Sequence, residues 1–281
     1  MIRPVALSGA HMECVSLDQT APVLTDLLGF AEVSRAPGLA TFEHHQSSWT
    51  LTVHEGGEGA DRPRHHHFGV RVERKAEIDA AWEYLNAHRD EYGLRQIDPQ
   101  VVRHGSYSVH FQEPGANFWE IECYEDVLRK DSGAERLGGV RSRHWTKAHE
   151  HDSGSSRGYT PMAFTHGTLG ASDPDAYGHF IEDTLGLEAL RAYAAVRYIK
   201  HPATKHFVVA LQSQESSSFS PNFRFTISLD TAEDVERAHA ELSASRTDLG
   251  LTDLSRLQTD GAETSFMLRD MNGNWWELAA Q

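Results

Sequence analysis

His11, His67 and Glu120 fall on stretches of this chain that read as β-strands, and their side-chain types could hold a divalent metal. Two neutral imidazoles and a carboxylate form the facial triad typical of non-haem Fe(II) centres, with positions left open for substrate and oxygen. Mn(II) accepts the same donors, and Zn(II) could too. Fe(II) is the first expectation, with Mn(II) and Zn(II) as alternatives. The donors are far apart in the sequence, so the site must be built at long range on rigid strands rather than on a local loop.

The constellation occurs twice, and only one copy is chemically complete. His67 and Glu120 are 53 residues apart, as are Arg224 and Glu277, and the two pairs are offset by 157 residues. A matched spacing of this kind indicates duplicated structural units. An Arg side chain is cationic and has no lone pair for a metal, so the copies do not share one job.

Four units can be read, each opening with a strand and a helix and continuing into further strands. Unit one has a strand over 7–17, a helix over about 21–28 ended by Gly29, and strands near 40–43 and 49–54. Unit two begins at His67, with a helix over about 76–88 carrying Ile78, Ala81, Trp82 and Leu85 at helical spacing. Its strands lie near 101–103, 107–112 and 118–124, and the turn at 113–117 contains the Pro and Gly that a hairpin bend needs. Unit three opens at 162–169, with a helix over about 175–184 ended by Gly186; Leu28-Gly29 and Leu185-Gly186 again lie 157 apart. Unit four begins near Phe223, with a helix over 232–242 and strands at 265–268 and 275–278.

A strand, helix and three strands leave one sheet face apolar and uncovered, and two such units can cover each other. The expected fold is therefore α+β, with four βαβββ units paired into two open barrel-like domains and the helices outside. Residues 1–125 would form the metal-bearing domain, 126–160 a linker, and 161–281 a degenerate second domain. Adjacent units pair in this expectation because that connection is the simpler one.

Strand parity narrows the candidates, since residues an odd number apart face opposite ways. Cys14, Cys123 and His66 should point away from the metal, while Gly69, Arg71 and Glu122 share faces with the donors. Gly69 reads as room for a ligand, and Arg71 as an anion contact. The chain has 18 His, so position has to select the few that matter; His144, His149 and His151 read as polar linker.

The formal charge of −15 argues against nucleic acid or an anionic membrane as partner, because both call for a concentrated cationic face. No stretch approaches the length of apolar sequence that a membrane span needs. The opening residues lack a secretory pattern, which gives a cytoplasmic expectation. Two cysteines make no disulfide framework. The sequence leaves a homo-oligomer open.

The strand-opening His67-Phe68-Gly69-Val70, the helix end Leu27-Leu28-Gly29-Phe30 and the ending Pro114-Gly115-Ala116-Asn117-Phe118-Trp119-Glu120 carry a family resemblance. Thr184-Leu185-Gly186-Leu187 and Asn272-Gly273-Asn274-Trp275-Trp276-Glu277 carry it in the second half. The chain resembles the vicinal oxygen chelate superfamily, which includes glyoxalase I, fosfomycin-resistance proteins and type I extradiol ring-cleaving dioxygenases. In layout it is closest to the two-domain extradiol type.

That resemblance implies His11, His67 and Glu120 as iron ligands, although the familiar two-domain enzymes keep their site in the second domain. It also leaves a second topology open. Some members acting on hydroquinones combine unit one with unit four, and under such exchange His166 would replace His11. The resemblance further implies a His that handles protons, for which His45 and His104 are candidates. An expected Tyr is replaced by Gln112, and His110, on the same strand face, could take over its polar role.

The expected function is Fe(II)-dependent extradiol cleavage of a catechol-like or hydroquinone-like ring, with a small aromatic substrate and O2 as partners. The alternatives are a non-oxidative metal-dependent lyase or isomerase of glyoxalase type, or a metal-free protein that binds an aromatic metabolite. The glyoxalase-like reading calls for a fourth protein ligand, expected from His54 or Glu55.

Overall fold

The computed structural model describes residues 2–57, 63–103, 105–126, 136–142, 145, 156–214, 218–261 and 263–280. The first repeat runs β1 (Ala6–Cys14), α1 (Leu17–Pro22, continued as a π-turn over Val23–Leu27), β2 (Ala31–Ala36), β3 (Leu39–Glu43) and β4 (Thr50–Glu55). The second runs β5 (His67–Arg71), α2 (Lys75–Ala87), β6 (Gln96–Ile97), β7 (Val101–Arg103), β8 (Ser106–Gln112) and β9 (Phe118–Cys123). The third runs β10 (Ala163–Ala171), α3 (Pro174–Phe180, with a π-turn over Ile181–Leu185), β11 (Glu188–Tyr193), β12 (Val196–Lys200) and β13 (Phe207–Gln212). The fourth runs β14 (Arg224–Ser228), α4 (Ala232–Ala244), β15 (Asp253–Leu254), β16 (Gln258–Asp260), β17 (Glu263–Arg269) and β18 (Trp275–Ala280).

The duplicated α+β repeats are as the sequence predicts, but the barrel-like closure is not. The strands form two open nine-stranded sheets, ordered β15-β17-β18-β14-β1-β4-β3-β2 and β11-β12-β13-β10-β5-β9-β8-β6, with β16 on β17 and β7 on β8. The first strands of the repeats pair centrally and antiparallel, β1 with β14 and β5 with β10, so the ends of each sheet stay apart as edges. Repeat one thus shares a ladder with repeat four, and repeat two with repeat three. Connection length favoured adjacent pairing, but it does not determine which first strands share a ladder.

The compact units differ accordingly from a division at 1–125 and 161–281: one comprises Met1–Met12 with Thr168–Gln281, the other Glu13–Gly167. Among the described residues, no helix is long and apolar enough to cross a membrane.

Each unit contains a hairpin turn tied down by a buried carboxylate. In Glu13–Gly167, Glu113 accepts hydrogen bonds from the backbone of Gly115 and Asn117 and from the Thr20 hydroxyl, while the Asn117 amide donates to the Glu13 carbonyl. In the other unit, Asp270 accepts from the backbone of Asn272 and Asn274 and from the Tyr177 hydroxyl, and the Asn274 amide donates to the Gly170 carbonyl. The two Asn residues that resemble a family signature therefore hold the hairpins β8–β9 and β17–β18 in place. A buried carboxylate is tolerated because each is met by several donors.

His206 makes the unit containing residues 168–281 sensitive to acid. Its ring is fully buried and donates from Nε2 to the Leu7 carbonyl at 2.6 Å. Burial, reinforced by Lys200 and His201 and only partly offset by the Leu7 bond, pulls it down to about 4. The folded state therefore needs neutral His206, whereas the unfolded chain takes up a proton near pH 6.5. Its contribution should be complete above about pH 6.5 and fall away toward pH 4, by roughly 3 kcal/mol. Urea midpoints measured from pH 4 to 7 should fall less steeply for His206→Gln than for the unaltered protein; parallel curves would remove His206 from the account.

Candidate metal centre

Register alone brings four donors together within the unit Glu13–Gly167. On neighbouring strands, His166 of β10 lies opposite Gly69 of β5, Gly69 is level with Glu120 of β9, and Glu120 is directly opposite His110 of β8. His67 sits two residues before Gly69 and so shares its face. The Glu120 carboxylate is the hub: Oε2 is 3.4 Å from His67 Nε2 and 3.3 Å from His166 Nε2, and Oε1 is 3.6 Å from His110 Nε2. The His67 ring stands edge-on to His110 and His166, at centroid distances of 5.1 and 5.4 Å. All four side chains are buried, with His166 the deepest at 2% exposure.

The electrostatics suit a cation. Burial alone would push the Glu120 carboxyl up, but His110, His166 and His67 outweigh it and hold it well below the usual carboxylate range. Burial pulls His110 down to about 4, with His67 and Arg64 adding to the effect, so this imidazole is neutral at pH 7. His166 moves the other way: burial lowers it, but Glu122 and Glu120 prevail and raise it to about 9. His67 Nδ1 lies 3.0 Å from the Arg64 carbonyl, which can only accept, so Nδ1 carries the proton and Nε2 presents its lone pair.

Among the described residues, two donor groupings have atoms within 4.8 Å of one another: His67, His110 and Glu120, and Glu120, Glu122 and His166. Glu122 differs from the rest. Its Oε1 already accepts from Arg71 Nε at 3.2 Å, from Arg71 Nη2 and from Thr165 Oγ1 at 3.0 Å. Arg71 is buried between this carboxylate and the carbonyls of Val140 and Ser142, and lies over the Tyr124 ring. It is therefore no anion contact, as its strand face had suggested. Burial raises Glu122, but Arg71 and His166 prevail and bring it to about 2. Glu122 is thus taken up by Arg71, while Glu120 is grouped with His67 and His110 and meets His166 through Oε2.

The sequence-derived candidates separate clearly. His67 and Glu120 come together as expected, and His110 joins them from β8. The exchanged ladder supplies His166 where the adjacent expectation had His11. His11 lies in the other unit, its Nε2 3.4 Å from Glu277 Oε2 and 3.1 Å from Thr226 Oγ1. Arg224 Nη2 is 3.2 Å from Glu277 Oε1 in the same cluster. His45 is exposed and stacks on the buried His44 ring, so it takes no part in the cluster. His104, His144, His149 and His151 lie outside the described residues.

The fourth donor also comes from an unexpected place. Glu55 Oε1 accepts from the Leu17 backbone N–H at the start of α1, 2.9 Å away, and neither His54 nor Glu55 belongs to a donor group. Gln112 donates to the Ala116 carbonyl and Tyr107 to Asp79, so both serve as local ties. Gly69 does make room, but for a side chain: a Cβ there would lie 2.1 Å from His166 Cε1.

The comparisons with known proteins agree with this layout. No curated protein matches the chain. Glyoxalase I of Zea mays aligns with a TM-score of 0.65 at 14% identity, covering 98% of this chain and 92% of that one. A candidate dioxygenase of Bacillus subtilis aligns with a TM-score of 0.64 at 11% identity, covering 100% of this chain and 86% of that one. At such identities the likeness concerns the fold alone. A family model described as the Glyoxalase/Bleomycin resistance protein/Dioxygenase superfamily matches residues 14–121, a span that includes His67, His110 and Glu120. Over that stretch, which is less than half of its length, the chain is similar to the glyoxalase/bleomycin resistance protein/dioxygenase superfamily.

Proposed function

We propose that the chain is a metal-dependent, non-oxidative lyase or isomerase of the glyoxalase type, acting on a small substrate with adjacent oxygen atoms. One observation carries this reading: the imidazoles of His67, His110 and His166 surround the Glu120 carboxylate, at 3.4, 3.6 and 3.3 Å. Extradiol cleavage needs three open positions, two for a chelating diol and one for O2. A divalent ion held by all four of these groups would keep fewer positions open than a chelating diol and O2 together need. Fe(II), Mn(II) and Zn(II) all suit three imidazoles and a carboxylate.

A divalent ion in this set would supply a Lewis acid that polarises a substrate oxygen and acidifies the neighbouring C–H or O–H. The chain's own groups do the rest. Arg64 holds the His67 ring by its Nδ1–H, and the neutral His110 gives up no proton at pH 7. Glu120 Oε2 lies between His67 and His166 and Oε1 faces His110, so the ionised carboxylate would help hold the cation. Burial of all four groups keeps bulk water from competing for the intermediate.

Anaerobically purified protein should contain about one divalent ion per chain, and His110→Ala should weaken its binding roughly tenfold or more. An oxygen electrode should record no uptake when the loaded protein meets panels of catechols and hydroquinones. Uptake matched to a yellow ring-cleavage product would overturn the reading in favour of the oxidative one.

A further inference from the structure

We propose that Thr165 and Glu122 fix the tautomer of His166, so that its Nε2 lone pair is delivered to the metal centre; this rests on the metal-centre reading above. His166 Nδ1 lies 3.0 Å from Thr165 Oγ1, and Thr165 Oγ1 lies 3.0 Å from Glu122 Oε1. Thr165 Oγ1 also lies 3.1 Å from the Gly69 carbonyl; that carbonyl can only accept, and the carboxylate is held by Arg71 as an acceptor. The direction of the relay follows. The Thr165 hydroxyl donates to these acceptors, its oxygen accepts from His166 Nδ1–H, and Nε2, which faces Glu120, is the nitrogen left to give up its proton to a cation.

The opposite tautomer would put a proton on the nitrogen facing Glu120, 3.3 Å away, and offer a cation nothing. Outer hydrogen bonds of this kind commonly orient a ligating imidazole and raise its basicity. Arg71 holds the far end of the relay rigid through the Val140 and Ser142 carbonyls. The three groups are positioning residues, since none is placed to touch substrate or ion.

The duplication gives an independent argument. The positions corresponding to Arg71, Glu122 and Thr165 in the other copy are Ser228, Ala279 and Ala10. There His11 has its Nε2 on Thr226 and Glu277 instead. The residues of the relay thus stand behind His166 and are replaced at the corresponding positions behind His11.

Thr165→Val removes the hydroxyl with little change of shape, and Thr165→Ser keeps it. Zn(II) alone, titrated against a chromophoric chelator, should bind Thr165→Val roughly ten- to a hundredfold more weakly than the unaltered protein. Thr165→Ser should recover affinity to within about threefold. The Co(II) absorption bands of the Val variant should shift, while its melting midpoint in excess chelator stays at the unaltered value. A Val variant that binds Zn(II) as tightly as the unaltered protein, or a Ser variant as weak as Val, overturns the proposal alone. Failure of the unaltered protein to bind either Zn(II) or Co(II) overturns the metal centre and this inference with it.

Discussion

Gly69→Ala should reduce metal affinity by at least a hundredfold, about 2.7 kcal/mol, without touching any donor. The new Cβ would stand 2.1 Å from His166 Cε1 and 2.6 Å from both ring nitrogens, far inside any real contact. β5 has no freedom to retreat, because it is hydrogen-bonded to β10 on one side and β9 on the other. The His166 ring must therefore swing away and take Nε2 with it. Overpacking of this kind costs about 1–3 kcal/mol in stability as well. Calorimetric titration with Zn(II) separates the effects, since a folded variant of unaltered affinity would show that His166 holds no metal.

Arg224→His should raise metal content from one ion per chain to two. In the other copy the Arg224 guanidinium lies beside Glu277 with His11 close by, so a fixed positive charge sits where the first copy gathers its donors around Glu120. Burial pushes Glu277 up, but His11 and Arg224 prevail and hold it at about 2. Replacing the Arg removes a largely buried partner and should cost about 2–3 kcal/mol in the absence of added metal. His11, the new imidazole and Glu277 would then form a three-donor set, because Met267 stands level with Glu277 where His110 faces Glu120. Added Zn(II) should restore the melting midpoint of Arg224→His and leave that of Arg224→Met low. A content of one ion in both variants would refute the comparison of the two copies.

The repeats were legible because a matched 53-residue spacing and paired helix ends survive in the sequence. His67 and Glu120 were legible for the same reason, and strand parity correctly turns Cys123 toward the Glu73 carbonyl rather than the site. The partner of β5 was not legible. Both His11 and His166 open a repeat, and nothing local to either strand reveals which ladder it joins. Gly69 was the available signal: a missing side chain on the face of a donor strand marks where a bulky neighbour arrives, and His166 is that neighbour. Arg71 and Glu122 looked like cavity groups by parity, which cannot report that they neutralise each other. β2 escaped notice because Ala31–Ala36 is exposed along its whole length and has no apolar alternation. The strands β11–β13 of the third repeat likewise went unassigned from the sequence.

The exchanged ladders also set the order in which the polypeptide can acquire its parts during synthesis. Every donor of the metal centre lies between His67 and His166, within the continuous stretch Glu13–Gly167. Ala6, by contrast, meets its partner Ser228 only after more than two hundred further residues have left the ribosome. The centre can therefore be assembled on the nascent chain while β1, emerging first, still waits for β14.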